Sequence, residues 1–432
     1  MIQRHAFLAL ASVAAGIPLA MLLIAALAGQ PPTFNDFHSY WLAGRLLLEG
    51  RSPYDLEAMR TLGQAEGLPF VLGTGYSYPI PFAFLMIPFA LLPFELAVLL
   101  FTVISVVGFG CVVGWWLIRH HPDASRRRLM AAAALAGLFP PVYGTIANGQ
   151  ANLVVLVPLG FGLALVAGDR PSGRIGGSLL GVAAIVKIVP AALAIVLLLA
   201  RRWTPVLALS VVAVGALIAA DALAPRGALG STWLWRLLEP DPYFTNQSIN
   251  GFVSRLVLES GRSIPLWPSA FDPLVVAGIA TSAVALVTLV ILLKSIAVAT
   301  RYPVLALGLA LALVAATIGA PKNSFWNQAL ALPALGLLLA VEAPNLDLRR
   351  FGSGDRALLL GCLIGSGVQF VLWIAPLPKH GPLAAFSTLA GSAALYGMLA
   401  LWALLARRLL REGRRRPRAG HSPAQTGLPR PS

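Results

Sequence analysis

The fold is organised around an early polar stretch, residues 33–55, which reads TFNDFHSYWLAGRLLLEGRSPYD and is followed by YSYPIP at residues 76–81. The stretch lies between the first two apolar segments and holds an acid, a histidine and several aromatic residues. Its apolar side chains recur at helical spacing, which predicts a short amphipathic helix of the kind that lies in a membrane interface. The recurring residues are Phe37, Tyr40, Trp41, Gly44, Leu47 and Leu48.

Asp36 stands in the first turn of this predicted helix. Thr33 and Asp36 are three residues apart, which is the spacing of a capping box, and Gly50 is placed to end the helix. The positive end of the helix dipole favours the ionised carboxylate at this position. Asp36 can therefore cap the helix or take part in catalysis, and the two roles are compatible.

The composition is that of a membrane protein. Of the 432 residues 58% are hydrophobic and only 11% are charged, whereas a soluble domain carries about 25% charged residues. Apolar runs recur along the chain, so we expect an all-α polytopic protein with about 12 transmembrane helices and two long outer loops. The predicted segments are 6–28, 79–92, 94–118, 129–147, 152–168, 175–200, 203–224, 274–296, 302–320, 329–342, 356–377 and 383–406.

Two places leave the topology open. Segment 79–92 is short for a span, and the basic loop RHHPDASRRR at 119–128 falls outside if every segment crosses. In an alternative scheme residues 79–118 cross once and segment 175–200 breaks at Lys187 and Pro190 into two half-helices. Both schemes keep the loops 29–78 and 225–273 outside. Residues 1–405 then form one transmembrane domain and 406–432 a basic, disordered cytoplasmic tail.

The net charge of +15 does not indicate a nucleic-acid partner. Eight arginines follow Ala406 and most other basic residues flank spans, as topology and anionic lipids require. The two cysteines, Cys111 and Cys362, lie in apolar runs and form neither a disulfide framework nor a metal-ligand spacing. No nucleotide-binding or metal motif occurs, and we expect neither a metal nor a cofactor.

Polar islands between the apolar segments supply candidate site residues, because polar groups at membrane depth are costly. Asp36 is suited to act as a general base on an incoming hydroxyl. Lys322 is the first candidate for a phosphate-binding cation, Arg255 the second, and Lys187 the third if segment 175–200 breaks. The aromatic and amide candidates for binding a sugar are His38, Tyr40, Tyr54, Tyr76, Tyr78, Asn148, Gln150, Asn246, Gln247, Asn250, Trp326 and Asn327.

The order of these motifs resembles glycosyltransferase family 87, a group of polytopic GT-C membrane enzymes. The resemblance rests on the 33–55 stretch, YSYPIP and four later motifs, and it covers most of residues 6–405. The later motifs are NGQAN at 148–152, VKIVP at 186–190, NQSING at 246–251 and SFWNQ at 324–328. The resemblance implies a GT-C-type bundle and matches the family's catalytic acid to Asp36.

The resemblance also implies a reaction and a place for it. The donor would be a polyprenyl-phosphate sugar, typically mannose, and the acceptor a lipid or glycan on the outer face of a bacterial plasma membrane. Transfer would invert the anomeric centre by direct displacement. One departure is that Asn327-Gln328 stands where the actinobacterial mannosyltransferases tend to carry a histidine pair.

A lipid or glycan transporter, or flippase, is the main alternative. Proton-coupled transporters place carboxylates within their spans. The apolar cores of this chain contain none, because Glu95 and Asp221 lie at segment ends. A non-catalytic scaffold of envelope assembly is the other alternative, and it would not need Asp36.

Overall fold

A computed structural model describes residues 2–68, 75–168, 172–225, 238–267, 272–296 and 301–415. Within these residues the regular structure is helical, and an isolated β-bridge joins Asn246 to Ser324. Parts of the predicted second loop, 226–237 and 268–271, and the tail from 416 onward lie outside the described residues. The chain is therefore an all-α polytopic membrane protein, as its composition predicts.

The helices follow one another with short connections. In the first half they are α1 (Ile2–Leu27), α2 (Asn35–Leu48), α3 (Leu56–Ala65), α4 (Ile80–Ala90), α5 (Phe94–His120), α6 (Arg126–Leu138), α7 (Pro140–Ala147), α8 (Asn152–Ala167), α9 (Gly173–Val186), α10 (Leu193–Leu199) and α11 (Trp203–Leu223). In the second half they are α12 (Ile249–Val257), α13 (Pro273–Ile296), α14 (Tyr302–Gly319), α15 (Leu332–Glu342), α16 (Ser353–Ile374), α17 (Ala384–Ala390) and α18 (Ala393–Arg414). Short 3₁₀ helices cover Val189–Ala192, Phe325–Ala331 and Leu348–Arg350.

Eight helices of the described chain are long and apolar enough to cross a membrane, or nine if the bent pair α6 and α7 counts as one span. The predicted number of twelve is thus not confirmed. The remaining apolar segments fold as shorter helices of 10–17 residues. For example, α4 has 11 residues and is about 16 Å long, roughly half the thickness of the hydrocarbon core.

The predicted segment 175–200 is broken at Lys187. Helix α9 ends at Val186, and Lys187 has extended backbone angles, φ −136° and ψ 130°. Pro190, three residues on, lacks the N–H that would continue the helical ladder, and a 3₁₀ turn follows before α10 begins. This break is the one that the alternative topology requires.

The bundle has two distinct ends, which we call the cavity end and the far end. The cavity end contains Asp36 and the first residues of α5, where the Phe94 ring stacks on His38 at 4.7 Å. Helix α5 then runs for 27 residues, about 40 Å, to His120 at the far end. There the neighbouring His121 contacts the carbonyl of Pro344.

Ion pairs join helices at the far end. The carboxylate of Asp355 on α16 is 3.2 Å from Arg407, 2.5 Å from Arg408 and 3.2 Å from Arg411. Glu342, at the end of α15, pairs with Arg408 at 2.6 Å. Helix α18 continues through these arginines as far as Arg414, so the predicted boundary at 405/406 falls inside a helix.

Candidate active site

A cavity of about 620 Å³ lies at the cavity end. Its walls come from the start of α2, the turn between α7 and α8, the break after α9, and two loops near residues 241–245 and 320–327. The lining residues that carry a polar side-chain group are Thr33, Asn35, Asp36, Ser39, Ser77, Tyr78, Asn148, Gln150, Lys187, Asp241, Tyr243, Thr245, Thr317, Lys322, Asn323, Ser324, Trp326, Asn327 and Trp373.

Helix α2 begins differently from the prediction. Its N-cap is Phe34, which has φ 47°, and no side chain caps the helix, so the predicted capping box of Thr33 and Asp36 is wrong. The turn is held instead by α7, because Thr33 N and Phe34 N both donate to the carbonyl of Ala147. The Asp36 carboxylate is therefore not used as a cap and lines the cavity.

The body of α2 is packed inside the protein rather than lying free in an interface. His38 and Ser39, which lie outside the predicted apolar stripe, are buried, whereas Leu48 of the stripe is exposed. The helix ends as predicted, because Gly50 follows it with φ 69°.

Burial and two neighbouring side chains determine the pKa of Asp36, which lies outside the long apolar helices. Burial raises the pKa of the carboxyl to about 6, while the positive charge of Lys187 and a hydrogen bond from Gln150 act to lower that pKa. Gln150 is itself oriented, because its Oε1 accepts from Tyr40 Oη at 2.9 Å and from Tyr78 Oη at 2.7 Å. Its amide NH₂ is thereby left for Asp36.

Lys187 reaches the same cavity from the helix break. The residue is 9% exposed, and its Nζ donates to Asn327 Oδ1 at 2.6 Å. The ammonium also lies 5.4 Å from the centre of the Tyr78 ring. Asn327 stands where the family resemblance predicts a histidine, and here it serves as the acceptor that holds Lys187.

Lys322 is the second cation among the described lining residues. Its side chain is 18% exposed, and its Nζ is 4.0 Å from the carboxylate of Glu239. Lys322 thus lies nearer to solvent than Lys187 and already has an acidic neighbour.

Arg255, the predicted second cation, does not line the cavity. It is 1% exposed and its guanidinium is used within the protein. Nη1 donates to the carbonyls of Tyr243 at 3.0 Å and Asn246 at 2.8 Å, and Nη2 donates to Ser392 Oγ at 2.6 Å. The sequence showed a cation in a polar loop but not the carbonyls that surround it.

The amides of the NQSING motif also act inside the protein. Gln247 Nε2 donates to the carbonyls of Phe244 and Gly391. Asn250 Nδ2 donates to those of Glu239 and Pro321. Asn246 joins the two loops, as described below, and none of these three amides lines the cavity.

The predicted aromatic candidates fall into two layers. Tyr78 and Trp326 line the cavity, as do the amides of Asn148, Gln150 and Asn327. The other candidates lie behind this layer and contact residues of the protein. Tyr40 Oη donates to Gln150, and Tyr54 Oη donates to the carbonyl of Tyr78. Tyr76 Oη donates to the carbonyl of Pro79, and the His38 ring stacks on Phe94.

Sequence reasoning missed part of the cavity wall, chiefly Asp241, Tyr243 and Asn323. Asp241 was visible as an acid between two prolines in an aromatic loop, which is a usable signal. Among the described residues no three His, Cys, Asp or Glu side chains come together as a metal site would require.

Comparison with known proteins agrees with the motifs. The model of glycosyltransferase family 87 matches residues 76–317, more than half of the chain. A similar protein from Mycobacterium tuberculosis (strain CDC 1551 / Oshkosh) is described as a polyprenol-phosphate-mannose-dependent alpha-(1-2)-phosphatidylinositol pentamannoside mannosyltransferase. It is 29% identical over 224 residues, 48% of this chain and 47% of that protein, so the match spans about half the length of the relative. No solved structure matches.

Proposed function

Because the chain belongs to glycosyltransferase family 87, we propose that this membrane glycosyltransferase moves a hexose, mannose, from a polyprenyl-phosphate donor to a lipid or glycan acceptor. The name of the mycobacterial relative supports this donor. The observation that carries the proposal is that Asp36 and Lys187 line one cavity. A carboxylate can take a proton from the acceptor hydroxyl, and an ammonium can hold a phosphate.

Asp36 acts as the general base. The acceptor oxygen forms a bond to the anomeric carbon while the bond from that carbon to the phosphate oxygen breaks, and the hydroxyl proton passes to the Asp36 carboxylate. The bonding electrons leave with polyprenyl phosphate, so the anomeric centre inverts. A pKa near 6 for Asp36 suits this role, because a base works best when its pKa lies near the working pH.

Lys187 and Lys322 hold the donor phosphate and stabilise the charge that develops on it. An ammonium at a site shielded from water stabilises a leaving phosphate more than one in bulk solvent does. Lys187 is the more shielded of the two, and its hydrogen bond to Asn327 keeps it in place before the donor arrives.

The cavity faces the outer side of a bacterial plasma membrane. Support comes from the far end, where Arg128 donates to the carbonyl of Asn345 and where Arg407, Arg408 and Arg411 surround Asp355. Arginines concentrate on the cytoplasmic side of membrane proteins. The opposite end, with Asp36, is then outside, where lipid-borne sugars are the available donors.

Transfer by purified protein tests the proposal. The protein is reconstituted in nanodiscs with radiolabelled polyprenyl-phosphate mannose and bacterial membrane lipids as acceptors, and labelled product is separated by chromatography. Wild type should form a labelled glycolipid, and Asp36→Asn should lose transfer because an amide cannot take the proton.

A matched control separates chemistry from folding. Asp55 caps α3 by accepting a hydrogen bond from Ala58 N at 2.9 Å and does not line the cavity. Asp55→Asn should keep wild-type activity, because Asn caps a helix as well as Asp does. Full activity in Asp36→Asn would exclude Asp36 as the base.

A further inference from the structure

We propose that Asp241, Asn323 and the ring of Tyr243 form a hydroxyl-binding subsite for a hexose on the wall of the cavity. The inference rests on the proposed function, since it names the residues that would bind the sugar in that reaction. All three residues line the cavity, and they come from two loops far apart in sequence.

The two loops are joined rigidly by Asn246. Its Oδ1 accepts from Asn323 N at 3.0 Å and from Ser248 Oγ at 2.8 Å, and its Nδ2 donates to the carbonyl of Pro321 at 3.2 Å. Backbone hydrogen bonds flank this contact, from Gln247 N to Asn323 O and from Phe325 N to Thr245 O, each at 2.7 Å. The subsite is therefore built on a fixed frame.

The Asp241 carboxylate is fixed by the same frame. Oδ2 accepts from Asn246 Nδ2 and Oδ1 accepts from Tyr243 N, both at 3.2 Å. Each carboxylate oxygen can accept about two hydrogen bonds, so each keeps acceptor capacity. Within the described chain no Lys, Arg or His nitrogen lies within 4.0 Å of the Asp241 carboxylate, although its charge interacts with that of the buried Arg255 guanidinium.

The amide of Asn323, on the second of the two joined loops, supplies a donor. Asn323 is 2% exposed, and its Nδ2 has no hydrogen-bond partner although it is buried. A buried donor without a partner costs about 1–3 kcal/mol, so its presence in a cavity wall points to a ligand acceptor.

Tyr243 completes the set with an apolar surface. Its side chain is 59% exposed and its backbone is held on both sides, by Asp241 through N and by Arg255 through O. A sugar presents C–H groups on one face and hydroxyls at its edge. A fixed carboxylate, an amide donor and an aromatic ring match those features, whereas the carboxylate would repel a phosphate.

Kinetics of Asp241→Asn test the subsite in the nanodisc assay. We expect kcat/KM to fall about 10- to 100-fold, because a hydrogen bond to a charged acceptor is lost. The loss should appear in the KM of the donor if the subsite binds the transferred sugar, and in the KM of the acceptor if it binds an acceptor sugar. Inhibition by sugar-free polyprenyl phosphate should be unchanged.

Asp272→Asn is the matched control. Asp272 Oδ1 accepts from Leu274 N at 2.8 Å, just as Asp241 Oδ1 accepts from the backbone N–H two residues further on. Asp272 does not line the cavity, however. It should behave as wild type. Unchanged kinetics in Asp241→Asn, or an equal loss of inhibition by polyprenyl phosphate, would overturn the subsite.

A binding measurement separates this inference from the proposed function. Methyl mannoside is titrated into wild type, Asp241→Asn and Asp272→Asn, and quenching of tryptophan fluorescence is followed, since Trp326 and Trp373 line the cavity. If wild type transfers no sugar, the proposed function fails, but the titration still tests whether the subsite binds a sugar. We expect weaker binding in Asp241→Asn alone, and equal binding in all three proteins, or none in wild type, would overturn the subsite.

Discussion

Asp36 shows how a local sequence signal can be right about a residue and wrong about its surroundings. The spacing correctly placed Asp36 in the first turn of a helix, but the structure leaves its carboxylate free for the cavity because α7 carbonyls satisfy the start of α2. Lys187 lies 151 positions further on in the sequence. Its effect on Asp36 depends on folding and could not be derived from spacing.

The pH dependence of transfer should report the state of Asp36. Burial raises its pKa from 3.8 to about 6, and the base is active only when deprotonated. We therefore expect kcat/KM to rise with pH through about 6. The Lys187 charge lowers this pKa, so Lys187→Met should move the rising limb to higher pH.

The measurement is a pH profile of kcat/KM for both proteins. An unshifted limb in Lys187→Met would show that the two groups do not interact. A limb centred near the ordinary pKa of an aspartate would show that Asp36 is not buried in the working enzyme.

The two lysines of the cavity should differ in their effect on the donor. Lys322→Ala should weaken donor binding by an amount on the order of 2 kcal/mol, since one charged phosphate contact is lost. The weaker binding should appear as a higher donor KM. Lys187→Ala should cost more, because Lys187 is less exposed and its charge is less screened. Acceptor KM should change little in either variant.

Lys379→Ala is the control for this comparison. Lys379 pairs with Glu259 at 2.6 Å and does not line the cavity, so its loss should leave donor binding intact. Unchanged donor KM and turnover in both cavity variants would place the phosphate site elsewhere.

At the scale of elements, the turn between α7 and α8 positions α2. Asn148 O accepts from Asp36 N at 2.9 Å, and Gly149 packs directly against the first turn of α2. Gly149 has φ 65°, and an added Cβ would lie 2.6 Å from Phe37 Cβ. The glycine is thus required both for its backbone conformation and for the close approach.

Gly149→Ala should therefore lower both stability and activity, because the new methyl group pushes Phe37 and with it Asp36. Gly50→Ala is a matched control, since Gly50 has φ 69° but no atoms within 4 Å of an added Cβ. The free energy of unfolding of Gly50→Ala should fall by about 1 kcal/mol from backbone strain alone, and its kcat/KM should not change.

Thermal unfolding in detergent and the transfer assay measure the two effects. Equal losses of stability and activity in both variants would mean that the contact with Phe37 has no part in placing α2.

Elements that depend on local signals were predictable, and those that depend on distant partners were not. The helix predicted from residue 33 to Gly50 is observed as Asn35–Leu48, and the break between Lys187 and Pro190 was one of the two alternatives that the sequence left open. Arg255, a predicted candidate for the phosphate, does not line the cavity, and its guanidinium donates to Ser392, which lies 137 residues away. Nothing near Arg255 in sequence indicates that contact.

At the scale of the whole molecule, apolar length predicted a helical membrane protein but not the number of its spans. Length cannot distinguish a crossing helix from a short one packed within the bundle, as α4 is. A contact at the far end could not be derived from the sequence. The basic loop at 119–128 packs against the residues that follow α15, where His121 contacts Pro344 and Arg128 contacts Asn345.

The two topologies predicted from sequence differ in the side on which the loop 119–128 lies, and the structure allows a direct test. If every apolar segment crosses, this loop lies outside with the loop 29–78. In the structure α5 separates them by about 40 Å, so we expect them on opposite sides. Exposed positions suited to single cysteines are Glu57 on α3 and Asp123 in the basic loop.

Labelling with a membrane-impermeant maleimide, in a background with Cys111 and Cys362 replaced by serine, reads out this orientation. In right-side-out spheroplasts Glu57→Cys should react at once, because it belongs to the end that holds the cavity. Asp123→Cys should react only after the membrane is permeabilised, as arginine-rich ends face the cytoplasm. Labelling of both positions in intact spheroplasts would restore the scheme in which every segment crosses, whereas the reverse pattern would place the cavity, and the donor it binds, on the cytoplasmic side.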